Sequence, residues 1–291
     1  MKKWLCALSA AAMSVLLLAG CETGEVGSNP GSPAADSSSA GTAALSGKLV
    51  FAGSSSMGPV CDALTEAFKD ANPNVTTEVG VTGSGAAITA LSDGTAQIGN
   101  LSRAVKAEEN AEGRFESIVI AKDGIAVVVN PSNTVSALTK QQIADIYTGK
   151  ITNWKELGGA DKAIYVIGRD ASSGTRDGFE DILKIKGSCQ YGAELKETGD
   201  VKQKVASDEF AIGYISFASV SDGVKALTVD GVAPSEATIA DGSYSIQRPF
   251  VHAYAKGTTD PRVLAYLEFL KTDTAQNLIK AEKLVPNKFW E

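Results

Sequence analysis

"GRDASSGTR", residues 168–176, sets two arginines around a Ser-Ser-Gly-Thr turn. The stretch is too polar for a core strand and too rich in small residues for a helix interior. Before it, "AIYVIG" (163–168) reads as a buried strand. After it, Phe179, Ile182 and Leu183 fall on one face of a helix. The quoted residues therefore join a strand to a helix start, and that start is Ser173-Gly174-Thr175.

The same grammar recurs upstream. "KLVFAG" (48–53) is a short apolar run ending in glycine, and Ser54-Ser55-Ser56 follows it. Val60, Leu64, Ala67 and Phe68 then recur at helical spacing, with Pro59 near the first turn and Asn72-Pro73 at the close. "VTTEVGVTG" (75–83) alternates as a strand, and Ser84-Gly85 opens a helix with Ile88 and Leu91 inward. "AQIGNLS" (96–102) runs from strand into a loop that carries Arg103. Strands alternating with helices predict an α/β fold with parallel sheets.

These turns share a chemistry. A helix start leaves backbone N–H groups unpaired, and the macrodipole adds partial positive charge there. Ser and Thr add hydroxyl donors, and Gly lets a ligand come close to the backbone. In a parallel sheet such turns lie together at the strands' C-terminal ends, so they converge on one cleft. Any single one of them reads equally as an N-cap. Three together, with Arg169 and Arg176 beside the third, point to an oxyanion site. Arg103 is a further cation for it, or the partner of Glu108 or Glu109. Arg176, one turn into its helix, has Glu180 within reach as an alternative partner.

Other chemistries lack their residues. The chain has 291 residues, is 44% hydrophobic and carries a net charge of −7. That length supports one large or two medium domains, and the acidic balance argues against nucleic acid as a partner. The one histidine, His252, sits in the apolar run "PFVHAYA" and reads as a packed residue. There is no nucleophile elbow, Walker loop, dinucleotide fingerprint or zinc-protease motif. No catalytic residue, cofactor or metal site is expected.

The N-terminus reads as export machinery. Lys2 and Lys3 precede an apolar run from Trp4 to Ala19, too short for a comfortable membrane span. Leu18-Ala19-Gly20-Cys21 resembles a bacterial lipobox, which implies lipidation at Cys21 and a membrane anchor through acyl chains. Residues 1–20 are then the leader, and residues 21–46, rich in Gly, Ser, Ala and Thr, are a flexible tether. Cys61 and Cys189 remain, either as a disulfide or as free thiols.

At these residues the chain resembles the phosphate-binding proteins that feed phosphate ABC transporters. Arg169-x-x-x-Ser173-Gly174-Thr175 is similar to that family's phosphate-gripping loop. "GSSSMGPV" (53–60), "GSGAAI" (83–88), "AQIGNLSRAV" (96–105), "LTKQQIADIYTGKITNWKELGG" (138–159) and "FAIGYISFASV" (210–220) follow further family segments in order. The resemblance covers about residues 47–291. It implies a two-lobed periplasmic binding protein fold of type II, with two crossing strands and the ligand in the cleft. The crossings are expected near residue 127 and near residue 250, giving lobe I as 47–127 plus 250–291 and lobe II as 128–249. "SIVIAKDGIAVVVNPSN" (117–133) is then strand, turn, strand, "YSIQRPFVHAYAKG" (244–257) is the return, and "PRVLAYLEFLKTDTAQNLIKAE" (261–282) is a terminal helix.

Carried over by motif, Ser55, Ser56 and Ser84 would donate from one lobe, and Arg169, Ser173, Gly174 and Thr175 from the other. One departure stands out. Some members carry Ser-Asp in the third segment, where the carboxylate accepts the proton of phosphate, and this chain has Ser102-Arg103. Asp123 is the candidate acceptor in its place, or else part of an ordinary Asp-Gly turn; Asp170 is the runner-up, and Arg103 a possible second cation. The resemblance implies a monomeric, lipid-anchored receptor that captures inorganic phosphate and hands it to a permease and its ATPase, without chemistry on the ligand. A receptor for sulfate or molybdate, an exported phosphoester hydrolase and an adhesin-like or sensing lipoprotein are the alternatives.

Overall fold

The computed structural model describes residues 44–287; the leader, Cys21 and most of the tether lie outside the described residues. The chain begins with β1 (Gly47–Gly53), α1 (Gly58–Ala71), β2 (Val75–Val81), α2 (Ser84–Ser92) and β3 (Ile98–Leu101). Then follow β4 (Phe115–Val129), the two-residue β5 (Ala137–Leu138), α3 (Lys140–Tyr147), β6 (Tyr165–Arg169), α4 (Gly174–Leu183), β7 (Ala193–Leu195) and α5 (Thr198–Ser207). The remainder is β8 (Ala211–Ser216), β9 (Lys225–Ala226), β10 (Thr228–Val229), α6 (Glu236–Ala240), β11 (Gln247–Ala255), α7 (Pro261–Phe269), α8 (Asp273–Ala281) and β12 (Val285–Pro286). Among these residues no helix is long and apolar enough to cross a membrane.

The fold is α/β, with the main strand order β2-β1-β3-β11-β4-β8-β6-β7. Its two flanks are parallel, β1 pairing with β2 and β3, and β6 with β7 and β8. Its middle is antiparallel, because β4 and β11 run in opposite directions and pair with each other. The expected parallel sheets are thus the two flanks, joined by an antiparallel middle where the chain passes out and back.

The apolar core is divided on either side of that middle. Leu49, Phe51, Leu64, Phe68, Ile120, Phe250 and Tyr266 pack together. Ile125, Val127, Tyr147, Phe179, Tyr214 and Ile246 pack in a separate cluster. Along β4 the change of cluster falls between Ala121 and Ile125, and at the start of β11 between Ile246, just before the strand, and Phe250. Beyond that point β4 is covered on both faces. Ile125, Val127 and Val129 meet one layer, and Ala126 and Val128 meet α5 through Val201 and Val205.

Two expectations need correction, and one open alternative is decided. Residues 117–129 form no turn, since β4 runs unbroken through Asp123-Gly124 and pairs first with β11, then with β8. Gly124 serves close packing instead: a Cβ there would lie 2.7 Å from Ile239 Cδ1. The terminal helix is two helices, because Thr272 is extended and its hydroxyl accepts from Ala275 N, capping α8 at its start. Cys61 and Cys189 are both free, each packed with a different core cluster. Burial pushes the Cys61 thiol up, away from thiolate reactivity.

Candidate functional site

The ends of the parallel strands bring the serine-rich turns together. After β1 a 3-10 turn, Ser55–Met57, is capped by Ser54 and leads into α1. After β6 the chain turns through residues 170–173 into α4, where Ser173 is the N-cap and its hydroxyl accepts from Arg176 N at 3.3 Å. After β7, Thr198 opens α5. Backbone contact also links two of these turns: Gly85 N donates to Ser172 O at 3.0 Å.

A chain of four hydroxyls and a neighbouring serine pair result. Thr198 Oγ1 and Ser56 Oγ lie 2.9 Å apart, and Ser56 Oγ and Thr175 Oγ1 3.0 Å apart. Ser55 Oγ accepts from Thr198 N at 3.1 Å. Ser84 Oγ accepts from Ser102 N at 3.1 Å and lies 3.4 Å from Ser102 Oγ. Gly174 faces that pair so closely that a Cβ would stand 2.3 Å from Ser84 Oγ and 2.8 Å from Ser102 Oγ. Only glycine fits there with the serines in place.

One arginine reaches each end of the hydroxyl chain. Arg169, 2% exposed, donates from Nη1 to Thr198 Oγ1 at 3.2 Å and from Nη2 to Ser55 Oγ at 3.0 Å. Its remaining guanidinium contacts are the backbone oxygens of Leu195 and Lys196. Among the described residues no carboxylate is hydrogen-bonded to it. Burial pulls its pKa down to about 10, and the charge of Arg248 pulls the same way, so it remains a cation at neutral pH. A buried guanidinium held by hydroxyls and carbonyls alone has neutral hydrogen-bond partners only, and an anion in their place would make charge-assisted ones.

The second arginine is Arg248, on β11. Its Nη1 donates to Thr175 Oγ1 at 2.6 Å and to Ser102 O at 3.3 Å. Its Nε and Nη2 donate to Asp123 Oδ2 at 3.2 Å and 3.0 Å. Asp123 is its register partner across β4 and β11, where the two core clusters separate. Asp123 Oδ1 accepts from Ser216 Oγ at 2.9 Å. Burial acts against charge on both groups, pushing the Asp123 carboxyl up and the Arg248 guanidinium down, while their contact opposes it.

Most of the expected site residues meet here: Ser55, Ser56, Arg169 and Thr175 share one hydrogen-bonded group with Thr198, Ser84 and Ser102 form a second beside Gly174, and Arg248 bonds to both groups. Asp123 reaches the cluster through Arg248 rather than by a hydrogen bond of its own. Arg103 does not join. Its Nε donates to Asp177 at 2.8 Å and its Nη1 and Nη2 to Glu109 at 2.8 and 2.7 Å, so two carboxylates already neutralise it. Asp170 Oδ1 accepts from Ser172 N and Oγ within its own turn. Arg176 pairs with Glu180 at 2.7 Å and Glu194 at 2.6 Å, and its Nη1 donates to Arg169 O, bracing the strand end.

His252 packs among Phe51 and Tyr266, with its Nε2 3.3 Å from Tyr266 Oη. Burial pulls its pKa to about 3, so it is a neutral core residue. Among the described residues no group of His, Cys, Asp and Glu could hold a metal ion.

Two site residues escaped sequence reasoning. Thr198-Gly199 opens a helix after a strand, the grammar already used for the other turns. Arg248 lies inside the apolar stretch "SIQRPFVHAYA", and a charge in a buried strand is itself a signal of a partner or a ligand.

A family model for a PBP superfamily domain matches residues 38–274. The chain is 36% identical over 250 residues to the phosphate-binding protein PstS of Bacillus subtilis (strain 168), covering 84% of this chain and 82% of that one. A phosphate ABC transporter substrate-binding protein from Clostridium perfringens, solved with bound phosphate, superposes with a TM-score of 0.81 at 39% identity, over 83% of this chain and 100% of that one. An ABC-type phosphate transport receptor from Vibrio cholerae gives a TM-score of 0.70 at 32% identity, over 83% and 100%.

Proposed function

The chain belongs to the PstS phosphate-binding proteins of the PBP superfamily, and from that premise we propose that its hydroxyl-and-arginine cluster is the phosphate site. The protein is a phosphate-capturing substrate-binding protein of ABC import. Its family is one of transport receptors working outside the cytoplasm, and we propose that this chain performs no chemistry on its ligand.

The observation that carries the site assignment is Arg169: a buried cation whose side-chain partners are hydroxyls and backbone oxygens. A phosphate oxygen takes the place of those hydroxyls in its fork, exchanging neutral contacts for charge-assisted ones. Ser55, Ser56, Ser84, Ser102, Thr175 and Thr198 turn their hydroxyls to the remaining oxygens. Gly174 and its neighbours offer backbone N–H groups at the start of α4. Ser173 caps that helix and fixes where the donors point. Arg248 supplies a second cation, held by Asp123, and Arg103 braces α4 through Asp177 from outside the cluster.

The division into lobes of 47–127 plus 250–291 and of 128–249 is likewise our proposal. The change of core cluster, within 121–125 on β4 and within 246–250 at the start of β11, supports it. Hinge motion there would open and close the cleft. Lipidation at Cys21, the monomeric state, and delivery to a permease with its ATPase complete the reading. Isothermal calorimetry on the purified chain tests it. Phosphate is expected to bind at a single site, and absence of phosphate binding would refute the assignment.

A further inference from the structure

The charge of the cluster bears on which form of phosphate it takes, an inference that rests on the phosphate reading above. Arg169 and Arg248 are both buried, and among the described residues Asp123 is the one carboxylate hydrogen-bonded to either of them. Two cations against one carboxylate leave a net positive charge. The starts of α2, α4 and α5 add partial positive charge to it.

The carboxylates nearby are already occupied. Asp123 Oδ2 holds Arg248 and Oδ1 holds Ser216. Asp170 and Asp200 contribute charge at Arg169. Asp170 accepts from Ser172, and Asp200 accepts from Glu197 N at 3.2 Å. Tyr214, which also faces Arg169 and donates no charge, is kept protonated by burial. Among the described residues no carboxylate oxygen is hydrogen-bonded to Ser55, Ser56, Ser84, Ser102, Thr175 or Thr198.

A carboxylate fixed in such a site demands a proton from the ligand and repels an unprotonated oxygen, which is how a site rejects sulfate. A hydroxyl makes neither demand, since it accepts from a protonated oxygen and rotates to donate to a bare one. We propose that this site selects by charge: it takes the phosphate dianion over the monoanion, and admits other tetrahedral dianions instead of reading the ligand's proton with a carboxylate.

Calorimetry with phosphate and with sulfate, each at about pH 8 and about pH 6, tests this. Phosphate gains its second proton near neutrality, and only the dianion fraction then counts. Apparent phosphate affinity is expected to fall about tenfold for each pH unit below that ionisation. Protonation of Asp123, whose carboxyl burial pushes up, acts in the opposite sense: it makes the site more positive as pH falls. Sulfate, a dianion throughout, is therefore expected to lose no affinity on acidification. It should bind with less than the roughly 10⁴-fold penalty that an obligatory unpaired acceptor imposes. Equal phosphate affinity at the two pH values, or a sulfate penalty beyond that bound, overturns the proposal. Failure of phosphate to bind even at the higher pH overturns instead the reading on which it rests.

Discussion

Arg169→Ala is expected to weaken phosphate binding about a hundredfold, the largest single loss in the site. The guanidinium is buried, its orientation is fixed by the carbonyls of Leu195 and Lys196, and it donates to the adjoining hydroxyls of Ser55 and Thr198. Truncating one partner of a buried, hydrogen-bonded charge pair costs about 2–5 kcal/mol, and a hundredfold loss is about 2.7 kcal/mol. Arg169→Lys keeps the charge but loses the fork, so it should recover only part of the affinity. The fold should survive both changes, because among the described residues Arg169 has no hydrogen-bonded carboxylate that its removal would strand. Calorimetry alongside a thermal melt separates the two effects. A loss smaller than about tenfold in the alanine variant would remove Arg169 from the site.

Asp123→Ala is expected to have the largest effect on stability. The side chains of Asp123 and Arg248 are 0% and 2% exposed, so solvent does not screen the pair. Removing the carboxylate leaves Arg248 buried without its counter-charge, at a cost of about 3–5 kcal/mol. For a domain of this size that is a drop in melting temperature on the order of 10 °C. Phosphate should restore more stability to the variant than it adds to the wild type, because the ligand then supplies the missing negative charge. The double variant Asp123→Ala/Arg248→Met, which buries no unpaired charge, should be less destabilised than Asp123→Ala alone. A melt of Asp123→Ala that matches the wild type would show that the pair carries little of the fold's stability.

The parts of the site that were legible in sequence are the ones written in local grammar. A strand, a Ser/Gly/Thr turn and an apolar-faced helix are adjacent in the chain, so residues 53–60, 83–88 and 168–176 announced themselves. What stayed hidden depends on pairing across the sheet. Asp123 and Arg248 are 125 residues apart and meet only because β4 and β11 run antiparallel in one register. The Asp-Gly pair at 123–124 carried a strong local turn signal, and tertiary pairing overrode it with a glycine needed to fit Ile239. Arg103 was ambiguous for the opposite reason. Its sequence neighbour Glu109 was a visible partner, but Asp177, its second partner, comes from α4. Thr272 split the terminal helix through an N-cap that an apolar pattern running across it had masked.

A crystal structure of the protein grown with phosphate tests the central claim most directly. The account predicts one phosphate in contact with both Arg169 and Arg248. Its oxygens should take up the hydroxyls of Ser55, Ser56, Thr175 and Thr198, and the contacts between Ser56 and Thr175 and between Ser56 and Thr198 should open to admit it. A phosphate bound elsewhere, with Arg169 still donating to Ser55 and Thr198 as it does here, would contradict the account.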